Sequence, residues 1–139
     1  MKQIKILSLR ECIDFTLEAP VGPPYIIISI QDTQNKGFGI QFTPTNICKA
    51  VHTVYFDDID VETPNLKLIT DAQAKEILEF VRKYDNINTI IIHCLHGQCR
   101  SAGVGAALAH IYNGDNSEIF KTKIPNRYVY RKIMNNFYT

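Results

Sequence analysis

The chain has 139 residues, a formal net charge of +1, and 45% apolar and 21% charged residues. This length fits one domain spanning 1–139, the balance excludes a disordered chain, and the near-neutral charge argues against a nucleic-acid or membrane-surface binder. No apolar run approaches the ~18 residues of a spanning helix, and Met1 to Arg10 lacks the apolar stretch of a secretion signal; a cytoplasmic, reducing setting is therefore expected, with free thiols at Cys12, Cys48, Cys94 and Cys99.

Lys5 to Leu7 reads as a first strand. Ser8 and Glu11 have the spacing of a capping box and predict a helix from Leu9 to about Glu18, with Leu9, Ile13, Phe15 and Leu17 on a partly apolar face. Ala19 to Pro24 stops it, since three prolines and a glycine cannot continue a helix. Tyr25 to Ile30 is apolar and β-branched, the pattern of a strand buried on both faces. Gln31 to Lys49 is polar, with Gly37, Gly39 and Pro44, and reads as a long loop holding a short strand at Gly39 to Phe42. Val51 to Phe56 is the next strand and ends in Asp57-Asp58-Ile59-Asp60; Val61 to Ile69 is loop. Thr70 and Gln73 form a second capping box, and Ala72, Ile77, Phe80, Val81 and Tyr84 give the following helix its apolar stripe.

Thr89 to Ile92 is a short buried strand that runs straight into His93-Cys94. The small residues from Ser101 to His110 suit a close-packed helix ending near Asn113-Gly114. A short helix covers Ser117 to Lys121, and Pro125 stands as the first residue of a last helix that reaches Phe137. Arg127, Arg131 and Lys132 fit a solvated face of it. Strands alternating with helices predict an α/β fold of three layers, with a mostly parallel central sheet and flanking helices. Ligands gather at the carboxyl ends of such strands. Two of those ends carry chemistry here, Asp57-Asp58 and His93-Cys94.

The second end is the stronger signal. His93-Cys-Leu-His-Gly-Gln-Cys-Arg-Ser101 places an arginine six residues after a cysteine, at a strand-to-helix junction. A loop there can turn successive backbone N–H groups inward, and with the helix N-terminus they form an anion cradle. Gly97 permits the bend, and Arg100 adds a planar, permanently charged fork that grips two phosphate oxygens. Cys94 lies at the base of that cradle, where a positive field favours the thiolate; alone it would read equally as a buried core thiol.

This segment resembles the signature loop of the cysteine-based protein tyrosine phosphatases, His-Cys-x-x-Gly-x-x-Arg-Ser/Thr, and the short chain looks most like their compact dual-specificity branch, with its small bacterial and viral members. Phe56-Asp57-Asp58 and Pro125-Asn126 also resemble stretches of that branch, so the likeness covers residues 25 to 137. The resemblance implies a phosphoprotein substrate, phosphotyrosine first and phosphoserine or phosphothreonine second. Cys94 would attack phosphorus and form a phosphocysteine. The loop residues Leu95, His96, Gly97, Gln98, Cys99 and Arg100 would hold the phosphoryl oxygens. Ser101 would hydrogen-bond the sulfur, and His93 would support the loop from behind. By the same resemblance the second aspartate, Asp58, is the general acid, with Asp57 as the competing choice. No metal and no cofactor are implied, and a monomer is expected.

Other readings are open from the residues alone. His96 is either an exposed loop residue or a rim contact to substrate. His93, Cys94, His96 and Cys99 could be taken for zinc ligands, but the spacing lacks a Cys-x-x-Cys pair. Phosphate on RNA 5′ ends or on inositides would also fit the loop, although the uncharged or weakly basic Leu95, His96, Gln98 and Cys99 lower the inositide option. A rhodanese-like sulfurtransferase also joins a cysteine to an arginine; the five-residue gap and Ser101 favour phosphate. Cys99, just before the loop arginine, is either packing or the resolving partner for an oxidised Cys94, as a cysteine in that place is in the low-molecular-weight tyrosine phosphatases.

Overall fold

The computed structural model describes residues 1–18, 21–34 and 37–139. Its elements are β1 (Gln3–Leu7), α1 (Leu9–Glu18), β2 (Tyr25–Gln31), β3 (Cys48–Tyr55), α2 (Asp71–Lys83), β4 (Thr89–His93), α3 (Arg100–Asn113), α4 (Ser117–Thr122) and α5 (Arg127–Phe137). The strands form one sheet in the order β1-β4-β2-β3, parallel throughout. The expected α/β architecture is present, with a sheet more uniform than "mostly parallel" implied.

The apolar run of β2 is buried along its whole length, as is β4, because both are interior strands covered on two faces. Ile26, Ile28, Ile30, Ile90 and Ile92 face a core completed by α2, α3 and α5. Ile27 and Ile91 face the other way, onto Cys12 and Phe15 of α1 and onto Phe42 and Ile47. Each buried isoleucine contributes roughly 1.5–3 kcal/mol of transfer free energy, so these two small cores fix which face is which.

Both capping boxes form. Glu11 N–H donates to Ser8 Oγ at 3.0 Å while Ser8 N–H donates to the Glu11 carboxylate at 2.8 Å. Thr70 and Gln73 make the same reciprocal pair at the start of α2. Gly114 ends α3 in the left-handed conformation, with φ of 72°.

Four expectations need correction. No strand forms at Gly39 to Phe42; the Gln31 side chain captures that backbone instead, donating to Ile40 O at 3.0 Å and accepting from Phe38 N–H at 2.9 Å. β3 begins at Cys48 rather than Val51, because Cys48 and Ala50 pair with Tyr25 and Ile26 at the foot of β2. The buried stripe of α2 is Ala74, Ile77, Leu78 and Val81, the i, i+3, i+4, i+7 set, and it leaves Ala72 exposed. Pro125 precedes α5 instead of opening it; Asn126 is the cap, its side-chain oxygen accepting from Val129 N–H at 3.1 Å. Leu17 is exposed at the far end of α1. Ala19 and Pro20 of the expected helix stop, and Asn35 and Lys36 of the long loop, lie outside the described residues. Among the described residues no helix is long and apolar enough to cross a membrane.

Candidate active site

The parallel register brings Leu7, Ser29 and His93 side by side at the carboxyl edge of the sheet, with Gln31 and Tyr55 paired just beyond. Four strands therefore release their following residues into one place. After β4 comes the loop 94–99; after β1, Ser8; after β2, Asp32; after β3, Phe56-Asp57-Asp58.

His93 is fully buried. Its Nε2 lies 2.6 Å from Ser29 Oγ, which accepts from Gln31 Nε2 at 3.1 Å, and its Nδ1 lies 3.3 Å from Cys94 O. Burial pushes the imidazole pKa down to about 4, against the Cys94 carbonyl, which raises it; the Arg100 charge adds to the fall. A neutral ring settles the proton placement: the Ser29 hydroxyl donates to Nε2, and Nδ1–H donates to the Cys94 carbonyl. Phe42 meets the ring edge-on at 5.1 Å between centroids. His93 therefore links Ser29 of β2 to the first carbonyl of the 94–99 loop.

Cys94 is buried, and its Sγ lies 3.1 Å from Ser101 Oγ in the first turn of α3. Its N–H donates to Leu7 O at 3.4 Å, and Leu9 N–H donates to Leu95 O at 3.1 Å, so the β1–α1 junction forms the floor of the loop. Gly97 rests on that floor with φ of 68°. A Cβ at this position would stand 2.5 Å from Ser8 N and 2.6 Å from Leu7 C, both backbone atoms that cannot yield. On the far side, Ile124 N–H donates to Gln98 O at 3.1 Å and Asn126 N–H to Cys99 O at 2.9 Å. Leu95, His96 and Gln98 are exposed, and Cys99 is half-buried.

Arg100 is buried. Its Nη1 donates to Asp32 Oδ1 at 2.7 Å and to Phe56 O at 2.9 Å, which fixes the plane of the guanidinium while engaging only one arm of its fork. Sequence reasoning missed Asp32. Its cue was available, because it follows a buried strand directly, as Asp57 does.

The adjacent aspartates separate. Asp57 is buried and accepts from Thr33 N–H at 3.1 Å, Thr33 Oγ1 at 2.5 Å and Lys67 N–H at 2.8 Å. Burial would raise its pKa, but the Thr33 and Lys67 bonds outweigh it, the Arg100 charge assists, and the carboxyl is held below its ordinary range. Asp58 is exposed; its carboxylate accepts from Asn126 Nδ2 at 3.0 Å and lies against the Cys99 thiol. Burial first, then the charges of Asp58 and Cys94, push the Cys99 thiol up. Asp58 makes no hydrogen bond to Cys94 or Arg100. A cleft of about 360 Å³ opens here, with Asp58, Ile59 and Asp60 on one wall, Ile124 to Arg127 on the other, and Cys99 between them. Among the described residues no three His, Cys, Asp or Glu side chains gather as a metal site.

No family model matches the chain, and no curated protein matches it. Solved structures do match. Human DUSP28 has a TM-score of 0.61 at 15% identity, covering 96% of this chain and 90% of that one. The human tyrosine phosphatase-like serine/threonine/tyrosine-interacting protein has a TM-score of 0.56 at 15% identity, covering 94% and 85%. PTPMT1 in complex with PI(5)P has a TM-score of 0.54 at 13% identity, covering 96% and 89%. At these identities the likeness concerns the backbone, and the backbone of this chain has the fold of the compact dual-specificity branch of the cysteine-based tyrosine phosphatases.

Proposed function

We propose that this chain hydrolyses phosphate monoesters on proteins, phosphotyrosine first and phosphoserine or phosphothreonine second, through a phosphocysteine on Cys94. The observation that carries the reading is the Cys94 Sγ to Ser101 Oγ contact of 3.1 Å at the foot of a glycine-bent loop, beside an arginine held by a carboxylate. The Cys94 thiolate attacks phosphorus, an S–P bond forms, and the P–O bond to the leaving group breaks. Asp58 gives that oxygen its proton. Asp58 then takes a proton from water, whose oxygen attacks phosphorus, releasing inorganic phosphate and the thiolate. Ser101 donates to the sulfur as it leaves. Arg100, with one arm fixed by Asp32 and Phe56, turns the other to the equatorial oxygens, joined by the loop N–H groups from Leu95 to Arg100.

The loop side chains Leu95, His96, Gln98 and Cys99 supply no lysine or arginine for a polyanionic head group, which favours a protein over an inositide. A cytoplasmic setting is part of this reading, since a reducing compartment keeps free thiols such as Cys94 and Cys99 from pairing. Cys99, half-buried in the same loop, serves this reading as the thiol that attacks a sulfenic acid formed on Cys94 by peroxide, releasing water and leaving a disulfide.

The test is turnover of para-nitrophenyl phosphate and of a phosphotyrosine peptide. Cys94→Ser is expected to abolish it while retaining vanadate binding, and Arg100→Lys to lower kcat/KM by about a hundredfold, because lysine cannot reproduce the fork. Wild-type turnover that disappears with EDTA, or full turnover in Cys94→Ser, overturns the reading.

A further inference from the structure

Asn126 spends every polar atom on three segments: the Asp58-Ile59 turn, the first turn of α5, and Cys99 of the phosphate loop. Its Nδ2 donates to Asp58 Oδ1 and to Ile59 O, both at 3.0 Å. Its Oδ1 caps α5 through Val129 N–H at 3.1 Å, its N–H donates to Cys99 O at 2.9 Å, and its carbonyl accepts from Tyr130 N–H at 3.0 Å. The asparagine is itself held close to α3 by a missing side chain. A Cβ on Gly103 would stand 2.7 Å from Asn126 O and 3.1 Å from Val129 Cβ. The start of α5 is thereby seated on the first turn of α3, the same turn that carries Arg100 and Ser101.

We infer that Asn126 is a positioning residue for the general acid: it ties the exposed Asp58 carboxylate, by one amide group, to the helix that begins at the phosphate loop. The inference rests on Asp58 being the acid, as proposed above. Nothing else in the described hydrogen-bond network holds that carboxylate, apart from the half-buried Cys99 thiol. The other charged groups about Asp58 are Asp60 in its own loop and Arg127 beside Asn126; Arg127 stacks over the Phe120 ring at 5.1 Å from its centroid instead of pairing with either carboxylate. Without the tether, a solvated aspartate on a loop of few contacts samples many orientations, and few of them face a leaving oxygen.

Asn126→Ser separates this role from helix capping. Serine caps about as well as asparagine, but has no amide that reaches Asp58 and Ile59 while capping. The expected thermal midpoint is within a few degrees of wild type. The expected kcat/KM falls about tenfold for phenyl phosphate, whose leaving oxygen needs a proton, and less than about threefold for para-nitrophenyl phosphate. The basic limb of the phenyl phosphate pH–rate profile should flatten in step. Asp58→Asn, measured beside it, should show the same split more strongly, and Asn126→Ser should add nothing on that background. Equal losses on both substrates, or no loss, in Asn126→Ser while Asp58→Asn splits them would overturn the inference and leave the acid assignment standing. No split in Asp58→Asn would overturn both.

Discussion

The 94–100 loop and the 57–67 loop bound the same site and are built by opposite means. The first is held by backbone. Leu7, Ser8 and Leu9 lie under it, Ile124 and Asn126 bond to its far side, and a left-handed glycine lets the layers touch. The second is closed at its ends by one backbone bond, Asp57 N–H to Lys67 O at 2.8 Å, and otherwise hangs from side chains: Asp57 collects three donors from Thr33 and Lys67, and Asn126 draws Asp58 and Ile59 toward α5. Backbone contact leaves almost no freedom, as suits groups that must present several N–H donors to one anion. Side-chain suspension buries Asp57 and leaves the exposed Asp58 on a single amide tether, as would suit the proton donor proposed above.

Three variants sharpen that contrast. Gly97→Ala should do the greatest damage, because the new methyl meets backbone at 2.5 Å and the residue must also keep φ near 68°. A destabilisation of about 3–5 kcal/mol is expected from urea melts, with phosphate binding lost by titration calorimetry. A stable Gly97→Ala protein that still binds phosphate would mean the floor under the loop is softer than its contacts imply.

Asp57→Asn should come next. The amide has one acceptor oxygen: set where Oδ2 takes Thr33 Oγ1 and Lys67 N–H, it turns its NH2 against Thr33 N–H, so about 2 kcal/mol of stability should go. Turnover should keep the leaving-group dependence of the wild type. If Asp57→Asn instead shows the split expected of Asp58→Asn, the aspartates exchange roles. Because Asp57 is held below its ordinary range, its contribution is intact above about pH 4 and is lost as pH falls through the depressed value.

The smallest effect, taken per pH unit, is a slope. His93 is pushed down to about 4 from an ordinary value near 6.5, so the unfolded chain binds a proton that the folded one refuses between those values. Stability should therefore be full above pH 6.5 and fall on acidification toward pH 4, by at most about 1.4 kcal/mol per pH unit from this residue. His52 is shifted the same way, by burial and against the raising charge of Glu76, and adds to the trend. Urea melts across that range should show a shallower slope in His93→Asn, and an unchanged slope would show that the imidazole is not held neutral.

What could be read in the chain divides along the same line. Capping boxes, buried strands and the Cys94 to Ser101 spacing are local patterns, and each appears where the residues predict it. Asp32 and Asn126 act through partners 68 residues away, at Arg100 and Asp58, and no local period records such a pairing. The same distance explains the error at Pro125. Proline suits a first helical position, but the asparagine after it caps α5 with its side-chain oxygen while its amide group bonds Asp58.

The floor beneath Gly97 also constrains how the protein comes into being. β1 pairs with β4 across more than eighty residues, and the outer wall of the loop is made by Ile124 and Asn126, more than a hundred residues after β1. A growing chain on the ribosome can hold Cys94 and Arg100 and still lack the walls around them until residues 124–126 emerge. Such non-local closure is slow to nucleate. Under the proposed function, the first turnover by a newly made molecule would therefore report that β1 and the 124–126 segment have met.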